Sequence, residues 1–478
     1  MYRKALLLGV AVFGALVIVA GPASAQVGGP QKLDPERIIW ECQADLIFEF
    51  DDLMNEGFIP IVQGQKMGAQ PGQVAGRLAL IDLKTGKAEW TCDLLENIES
   101  MHLAAKSLVA ATSHELGAFS LDDGKLLWSQ PITGRLDNGG DLSPYFKQIR
   151  WFGDRWTKSQ GVGGAVLVEG DSVYIKVDDT VYCLDATTGE VKWHNVAGFS
   201  LSAPLAVCGD VVLAGIFADA LHAFDKATGK QLWVAPPGTV SHIYVVNDAL
   251  YCTVDNYVAR VDTGTGQVMW SPEVGSGWIR FVFESGNRVL VRDTDKVTAI
   301  DKETGDIAWQ VTTQNSCSAV GPDWVAYCPQ GSTQVTCVEA ADATQRWTCE
   351  SGWDMAPQSL NAIGDYVVAF NSWYTSVIDP KTGALVWTQT TEGSEGFFDE
   401  NTAATDGKAL FFRSFGRLRG YGMGDGGVVF DIPGDFFFVQ WMRYRSGALC
   451  LHYGHQKVLQ ALRLEPPKED ATGNKPTE

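Results

Sequence analysis

One phrase returns along this chain at nearly constant spacing, and it restricts the available folds more than any other feature. In one copy it reads Ala299-Ile300-Asp301-Lys302-Glu303-Thr304-Gly305-Asp306-Ile307-Ala308-Trp309: a short apolar strand, a Thr-Gly turn, and a second strand ending on Trp. Its fixed points are an acid eight residues before the Trp and a Gly four before it. The copies end at Trp90, Trp128, Trp193, Trp233, Trp270, Trp309, Trp347, Trp387 and, with Phe in place of Trp, Phe430. The acid is Asp82, Asp185, Asp225, Asp262, Asp301, Glu339 or Asp379, and becomes Ser120 and Gly422 in the other two copies. The Gly is Gly86, Gly124, Gly189, Gly229, Gly266, Gly305, Gly383 or Gly426, and is replaced once, by Ala343. Successive aromatic positions lie 38, 65, 40, 37, 39, 38, 40 and 43 residues apart. Self-similarity near 40 residues marks a repeat architecture, with room for four short strands per period.

The stretch from Trp270 to Trp309 shows the unit. After Trp270-Ser271-Pro272, the runs Trp278–Glu284, Arg288–Arg292 and Lys296–Asp301 read as strands, separated by polar turns. Short Val- and Ile-rich runs with frequent turn signals argue for antiparallel sheet. No run sustains helical periodicity. Four-stranded sheets repeated at this spacing stack radially, which predicts an all-β chain folded as a β-propeller with short, protected edges. Within the phrase, Gly305 offers the positive φ of a tight turn. Thr304 and Asp301 can bond turn amides, and Trp309 offers a large flat surface to a neighbouring blade with an N–H that needs a partner. These residues therefore have structural work to do, and chemistry requires none of them.

The pattern Ala-x-Asp-x-x-Thr-Gly-x-x-x-Trp resembles the tryptophan-docking repeat of quinoprotein alcohol dehydrogenases and of the outer-membrane assembly lipoprotein BamB. It is closest at Ala223/Asp225/Thr228/Gly229/Trp233 and Ala299/Asp301/Thr304/Gly305/Trp309. Asp82/Thr85/Gly86/Trp90, Asp185/Thr188/Gly189/Trp193 and Asp379/Thr382/Gly383/Trp387 also follow it well. The resemblance implies a PQQ-like propeller and is specific for fold rather than for function. Ile38-Ile39-Trp40 looks like the opening strand of a further unit, and the segments after Phe430 complete another. Ten units are counted in this way, whereas the resembled families usually close with eight. In either case a strand from one end is expected to complete a blade begun at the other.

The ends carry their own signals. Arg3 and Lys4 precede an uncharged run from Ala5 to Ala20 and a small-residue Ala23-Ser24-Ala25. This pattern predicts a cleaved secretory signal over 1–25. A single propeller domain is expected over 26–464. Glu465 to Glu478, with three Pro and little that is apolar, reads as a disordered tail. Export to the periplasm or the extracellular space follows from the signal, and Cys42, the first cysteine, lies too far on to carry an N-terminal lipid. The chain has 37 Lys+Arg against 57 Asp+Glu and a net charge of −20; cleavage removes two bases and no acid, leaving −22. Such a balance disfavours nucleic-acid partners, and later stretches are too short and polar for a membrane span.

Candidate chemistry is sparse. In the resembled quinoproteins, PQQ rests on an adjacent Cys-Cys disulfide with calcium and a catalytic carboxylate. The ten cysteines here include no adjacent pair and no Cys-x-x-Cys. No catalytic, cofactor-binding or metal-binding residue is therefore assigned. Cys317 and Cys328, on consecutive expected strands, are the first pair to examine for a disulfide, against the alternative of buried free thiols. His452 and His455 lack a third ligand nearby in sequence, and Asp51, Asp52, Asn55 and Glu56 do not match a calcium loop. The Gly420–Gly427 run occupies the degenerate last copy of the phrase and reads as a flexible turn.

The long gap before Trp193 places an insertion near 132–164. It holds Tyr145, Phe146, Arg150, Trp151, Phe152, Arg155 and Trp156, aromatic and Arg types enriched at binding hot spots. The same aromatics could instead fold back as a cap. The expected function is a non-catalytic, protein- or peptide-binding scaffold at the cell envelope. The rivals are a quinoprotein-type dehydrogenase or quinone carrier, and a binder of carbohydrate or other small ligands.

Overall fold

Runs of Val, Ile, Leu and Ala separated by Gly-, Asp- and Asn-containing turns have one simple way to bury their apolar faces, namely antiparallel pairing and stacking of sheets. The computed structural model describes residues 35–66, 73–98, 100–112, 115–131, 166–177, 179–196, 205–215, 221–235, 240–254, 256–275, 279, 281–293, 295–350, 356–371, 374–390, 403–414, 417–434, 436 and 439–464. The architecture is a β-propeller. Its described strands form four-stranded antiparallel sets in chain order, such as Leu205–Cys208, Val211–Gly215, Leu221–Asp225 and Gln231–Val234. One seven-stranded sheet arises because Ile307–Val320 ends one set and begins the next, so the described strands group into ten sets.

The sheet boundary falls one strand later than a Trp-to-Trp grouping suggests. Phe281–Ser285, Arg288–Arg292 and Lys296–Asp301 pair with the strand that carries Trp309, not with that of Trp270. The Thr-Gly turn explains this. It is a tight hairpin, so the strands on either side of it must pair with each other. Each Trp of the recurrent phrase therefore lies on the last strand of its own set. The last sheet is completed from the other end of the chain: Ile38–Gln43 pairs with Val458–Leu462, with Trp40 opposite Ala461 and Cys42 opposite Leu459. That is the closure the sequence leads one to expect.

Buried clusters join each sheet to its successor. Trp193 packs with Leu205, Val207, Val212 and Phe224 of the following sheet. The ends are joined in the same way, by Phe430 and Phe436 with Val439 and Leu449, and by Trp40 and Trp441 with Ile59 and Ile61. Across each junction led by a Trp, an indole N–H donates to a backbone carbonyl of the next sheet. Trp193 reaches Lys226 O at 3.0 Å, Trp347 reaches Pro380 O at 2.8 Å and Trp387 reaches Met423 O at 2.9 Å. Trp40 does likewise, to Leu83 O at 2.9 Å.

The receiving turn is shaped for the ring. At Gly229 φ is 69°, and a Cβ there would lie 2.4 Å from the Trp193 ring. Asp225 holds the turn by accepting from Thr228 N at 2.8 Å and Thr228 Oγ1 at 2.6 Å. Ser120 performs a weaker version, accepting from Asp122 N at 3.2 Å. The Gly422–Gly427 run is the receiving turn for Trp387, ordered by Gly426 N donating to Gly422 O at 2.9 Å. Asp51–Asn55, which does not match a calcium loop, is a short helix that buries Leu53 and Met54.

Ala343 stands at the Gly position with φ 59°. A left-handed residue bearing a Cβ costs about 1–2 kcal/mol. Ala343→Gly should therefore raise stability by roughly 1 kcal/mol, and Gly229→Ala should lower it by more, because its Cβ also meets Trp193. Denaturant midpoints of the two variants measure this.

Turn amides hold the carboxyls of Asp185, Asp225, Asp262 and Asp301 below the usual Asp range, with Thr hydroxyls leading at Asp225 and Asp262. A carboxyl depressed in the folded state stabilises above its unfolded pKa, about 3.9, and loses that contribution as pH falls towards its folded value. Thermal midpoints should therefore be insensitive to these groups between about pH 6 and 8 and should fall below about pH 4. The acid loss should be smaller in an Asp225→Asn/Asp262→Asn variant.

Candidate functional site

The four-stranded sets leave their outermost strands as edges, and a recurrent bulge lies on them. Ala223 faces Trp233 while Phe224 faces Gln231, so Leu232 is an extra residue on the outer strand. The same shift recurs at Ala118/Phe119, Cys183/Leu184 and Val377/Ile378. A bulge of this kind twists an edge and blunts it against pairing. It also turns apolar residues just before the Trp towards water. Leu126, Leu127, Val191, Leu232, Val268, Met269, Leu385, Val428 and Val429 are all exposed. On the set that ends at Trp347 the equivalent positions are Gln345 and Arg346. The rim can therefore offer apolar contacts to a partner through side chains held on rigid strands.

Two paired carboxylates, one half-buried and one buried, were not singled out by the sequence, because neither lies in the recurrent phrase. Glu49 accepts from Arg443 Nε at 2.7 Å and Nη2 at 3.0 Å, and from Trp441 Nε1 at 3.1 Å. The Arg443 guanidinium lies 5.6 Å from the Trp441 ring centroid. Burial alone would raise the Glu49 carboxyl; the charge and hydrogen bonds of Arg443, with help from Trp441 and Arg445, hold it below its ordinary value instead. The paired group ties the segment after Ala44 to the first strand of the closing sheet, nearly 400 residues away in sequence.

Glu284 is bound by Tyr251 Oη at 2.6 Å, Asn247 Nδ2 at 3.0 Å and Lys302 Nζ at 2.7 Å. Its donors come from its own sheet and from the preceding one, which again makes it a bridge. Both carboxylates have their oxygens occupied by donors, and neither is arranged as a free acid or base.

The residues weighed as ligands do not converge. His452 Nε2 lies 3.0 Å from Ala44 O, inside the closure. Among the described residues no three His, Cys, Asp or Glu side chains form a metal-holding group. All ten cysteines are thiols in this structure. Of the three that follow a repeat Trp by two residues, Cys349 is buried, whereas Cys42 and Cys92 are half-buried. Tyr145, Phe146, Arg150, Trp151, Phe152, Arg155 and Trp156 lie outside the described residues, as do 1–25 and the tail 465–478. Pro131 and Val166 flank the insertion, at the ends of an outermost strand and of the next innermost strand.

Comparison with known proteins gives a family match. The model for outer membrane protein assembly factor BamB matches residues 112–254, 177–277 and 254–405. BamB of Shewanella oneidensis is 24% identical over 226 residues, covering 42% of this chain and 57% of that protein. A tetrathionate hydrolase of Acidithiobacillus ferrooxidans is 24% identical over 252 residues, covering 48% of each. The chain thus spans between about half and three-fifths of these relatives' lengths. The crystal structure of BamB from Moraxella catarrhalis aligns with a TM-score of 0.39 and 16% identity, over 70% of this chain and 92% of that one.

Arg443→Ala would leave Glu49 partly buried without its charge partner. Such a loss should destabilise the chain by about 2–3 kcal/mol, at the low end for a broken buried pair because Glu49 keeps some exposure. Urea unfolding reads this directly, and Glu49→Gln/Arg443→Met should recover part of it.

Proposed function

Since the chain belongs to the family of the outer membrane protein assembly factor BamB, we propose that it is an exported, non-catalytic propeller that binds proteins or peptides at the cell envelope. The observation that carries this reading is the fate of the polar residues in the repeat. Asp225 and its equivalents hold turn amides, the indoles hold carbonyls, and Glu49 and Glu284 are enclosed by donors. The rim also exposes apolar side chains such as Leu126, Leu127, Leu232 and Met269, which are suited to contact rather than to proton transfer. The aromatic and basic residues between 145 and 156 supply the other half of the proposed partner surface, as anchors of the type found at hot spots.

A catalytic propeller is the second reading, favoured by the match to a tetrathionate hydrolase. It requires turnover by the purified chain, either of a sulfur-chain substrate or, for a quinoprotein, in dye-linked oxidation after addition of PQQ and calcium. Turnover of either kind would displace the scaffold reading.

Affinity capture from envelope extracts, with chemical crosslinking, tests the scaffold. Wild type should retain a partner that both Trp151→Ala/Trp156→Ala and Leu126→Asp/Leu127→Asp lose by roughly ten-fold or more, the scale expected for removing an anchor. Unchanged partners in both variants would count against this function.

A further inference from the structure

One set of strands carries four cysteines, one on each strand. Cys317 lies on Ile307–Val320, Cys328 on Trp324–Pro329, Cys337 on Val335–Glu339 and Cys349 on Gln345–Cys349. All four belong to one buried cluster, shared with Leu360, Val367 and Ala369 of the next sheet. Their cross-strand neighbours differ. Cys337 faces Ala326 on one side and Trp347 on the other, and Cys349 faces Val335. Ser318 faces Tyr327, and Cys317 and Cys328 are the next residues along the two antiparallel strands. There the ladder breaks, resuming at Thr313 opposite Pro329. Cys317 therefore sits at the start of the irregularity, where a side chain is re-aimed.

We propose that Cys317 and Cys328 form a cross-strand disulfide, a site selected among the ten cysteines by register and shared burial. The two side chains already interact: a hydrogen bond between the two sulfurs, with burial, holds the Cys317 thiol above its usual value, and Cys328 Sγ also donates to Ser332 O at 3.2 Å. Burial pushes the Cys337 thiol up to about 12.

The oxidant is a disulfide compound, for example oxidised glutathione. The Cys328 thiolate attacks one of its sulfurs, forming a mixed disulfide and expelling one glutathione thiolate. Cys317 then loses its proton and attacks Cys328 Sγ, expelling the second glutathione thiolate. Two protein thiols lose two electrons and two protons, and one glutathione disulfide becomes two thiols. Because Cys317 and Cys328 are buried against the following sheet, the exchange belongs to folding, before Ser359–Ile363 and its partners cover the pair.

The full chain, reduced and unfolded, is refolded in a buffer of oxidised and reduced glutathione, then alkylated in denaturant and mapped as unreduced peptides. The buffer sets the redox conditions, so the outcome does not depend on whether the chain is exported or what it binds. The expected result is one joined pair of peptides carrying Cys317 and Cys328, lighter by two hydrogens, with the other eight cysteines alkylated. Cys337→Ser should leave that joined pair in place, and a reductant should lower the thermal midpoint of wild type but not of Cys317→Ala/Cys328→Ala. Alkylation of both Cys317 and Cys328 after refolding overturns the proposal, as does either one joined to a different cysteine. The wild-type map alone decides the matter if the double variant does not fold.

Discussion

The fold depends on one contact made repeatedly, an indole that leaves its own sheet and lies on the left-handed turn of the next. The ring needs a turn without a Cβ, and its N–H needs an acceptor in the same place. A Thr-Gly hairpin pinned by an aspartate supplies both, since Gly229 opens the space and Lys226 presents its carbonyl. The contact has a direction, from each sheet to its successor. This explains why the phrase loses its Trp where it does. The sheet after Phe430 has no hairpin between its last two strands, because Val458–Leu462 and Ile38–Gln43 come from opposite ends of the chain. No turn waits for an indole there. Phe430 instead stacks on Phe411 of its own sheet, with ring centroids 5.5 Å apart, and packs into the closing cluster.

The same geometry gives the acids of the recurrent phrase their role. Asp185, Asp225, Asp262 and Asp301 carry negative charge because a carboxylate can accept two amide or hydroxyl bonds within one tight turn. The acids of these turns thus contribute to the net charge of −20 through a structural role. At Glu49 the reasoning is different. Here a carboxylate holds the closure together and must be paired, so Arg443 and Trp441 converge on it from the far end of the sequence.

Much of the architecture was legible in the sequence because the repeat writes the same local physics many times. The period, the antiparallel strands and the closure by an end strand all follow from spacing and turn chemistry. What the sequence obscured is set by register. Val191 and Leu232 are apolar residues beside a Trp, yet the bulge turns them outwards. Glu49 and Arg443 are ordinary charges in the sequence and meet only because the ring closes. The grouping of strands was displaced by one because a Trp-to-Trp period reports the repeat without its phase. The candidate partner residues between 145 and 156 lie in an insertion to which the repeat does not apply, so neither spacing nor register constrains them.

The set ending at Trp347 shows how far the receiving turn can change while the contact survives. Glu339 replaces the aspartate and accepts from Arg346, from Nε at 2.5 Å and from Nη2 at 2.6 Å, instead of folding back onto turn amides. Asp342 stands at the Thr position and accepts from Thr344 N at 2.9 Å, as Thr228 Oγ1 accepts from Lys230 N at 3.3 Å in its own copy. Ala343 keeps the left-handed conformation despite its Cβ, and its N–H still donates to Glu339 O at 3.0 Å. Trp309 still reaches Ala340 O, at 3.1 Å. Arg346, bound to Asp323 as well as Glu339, occupies the rim position that is apolar in most other sets. The loss of the aspartate is thus met by the pairing of Glu339 with Arg346, while the Gly position tolerates a Cβ. The requirement at this junction is the backbone shape and the acceptor carbonyl, and the side chains that impose them can be exchanged.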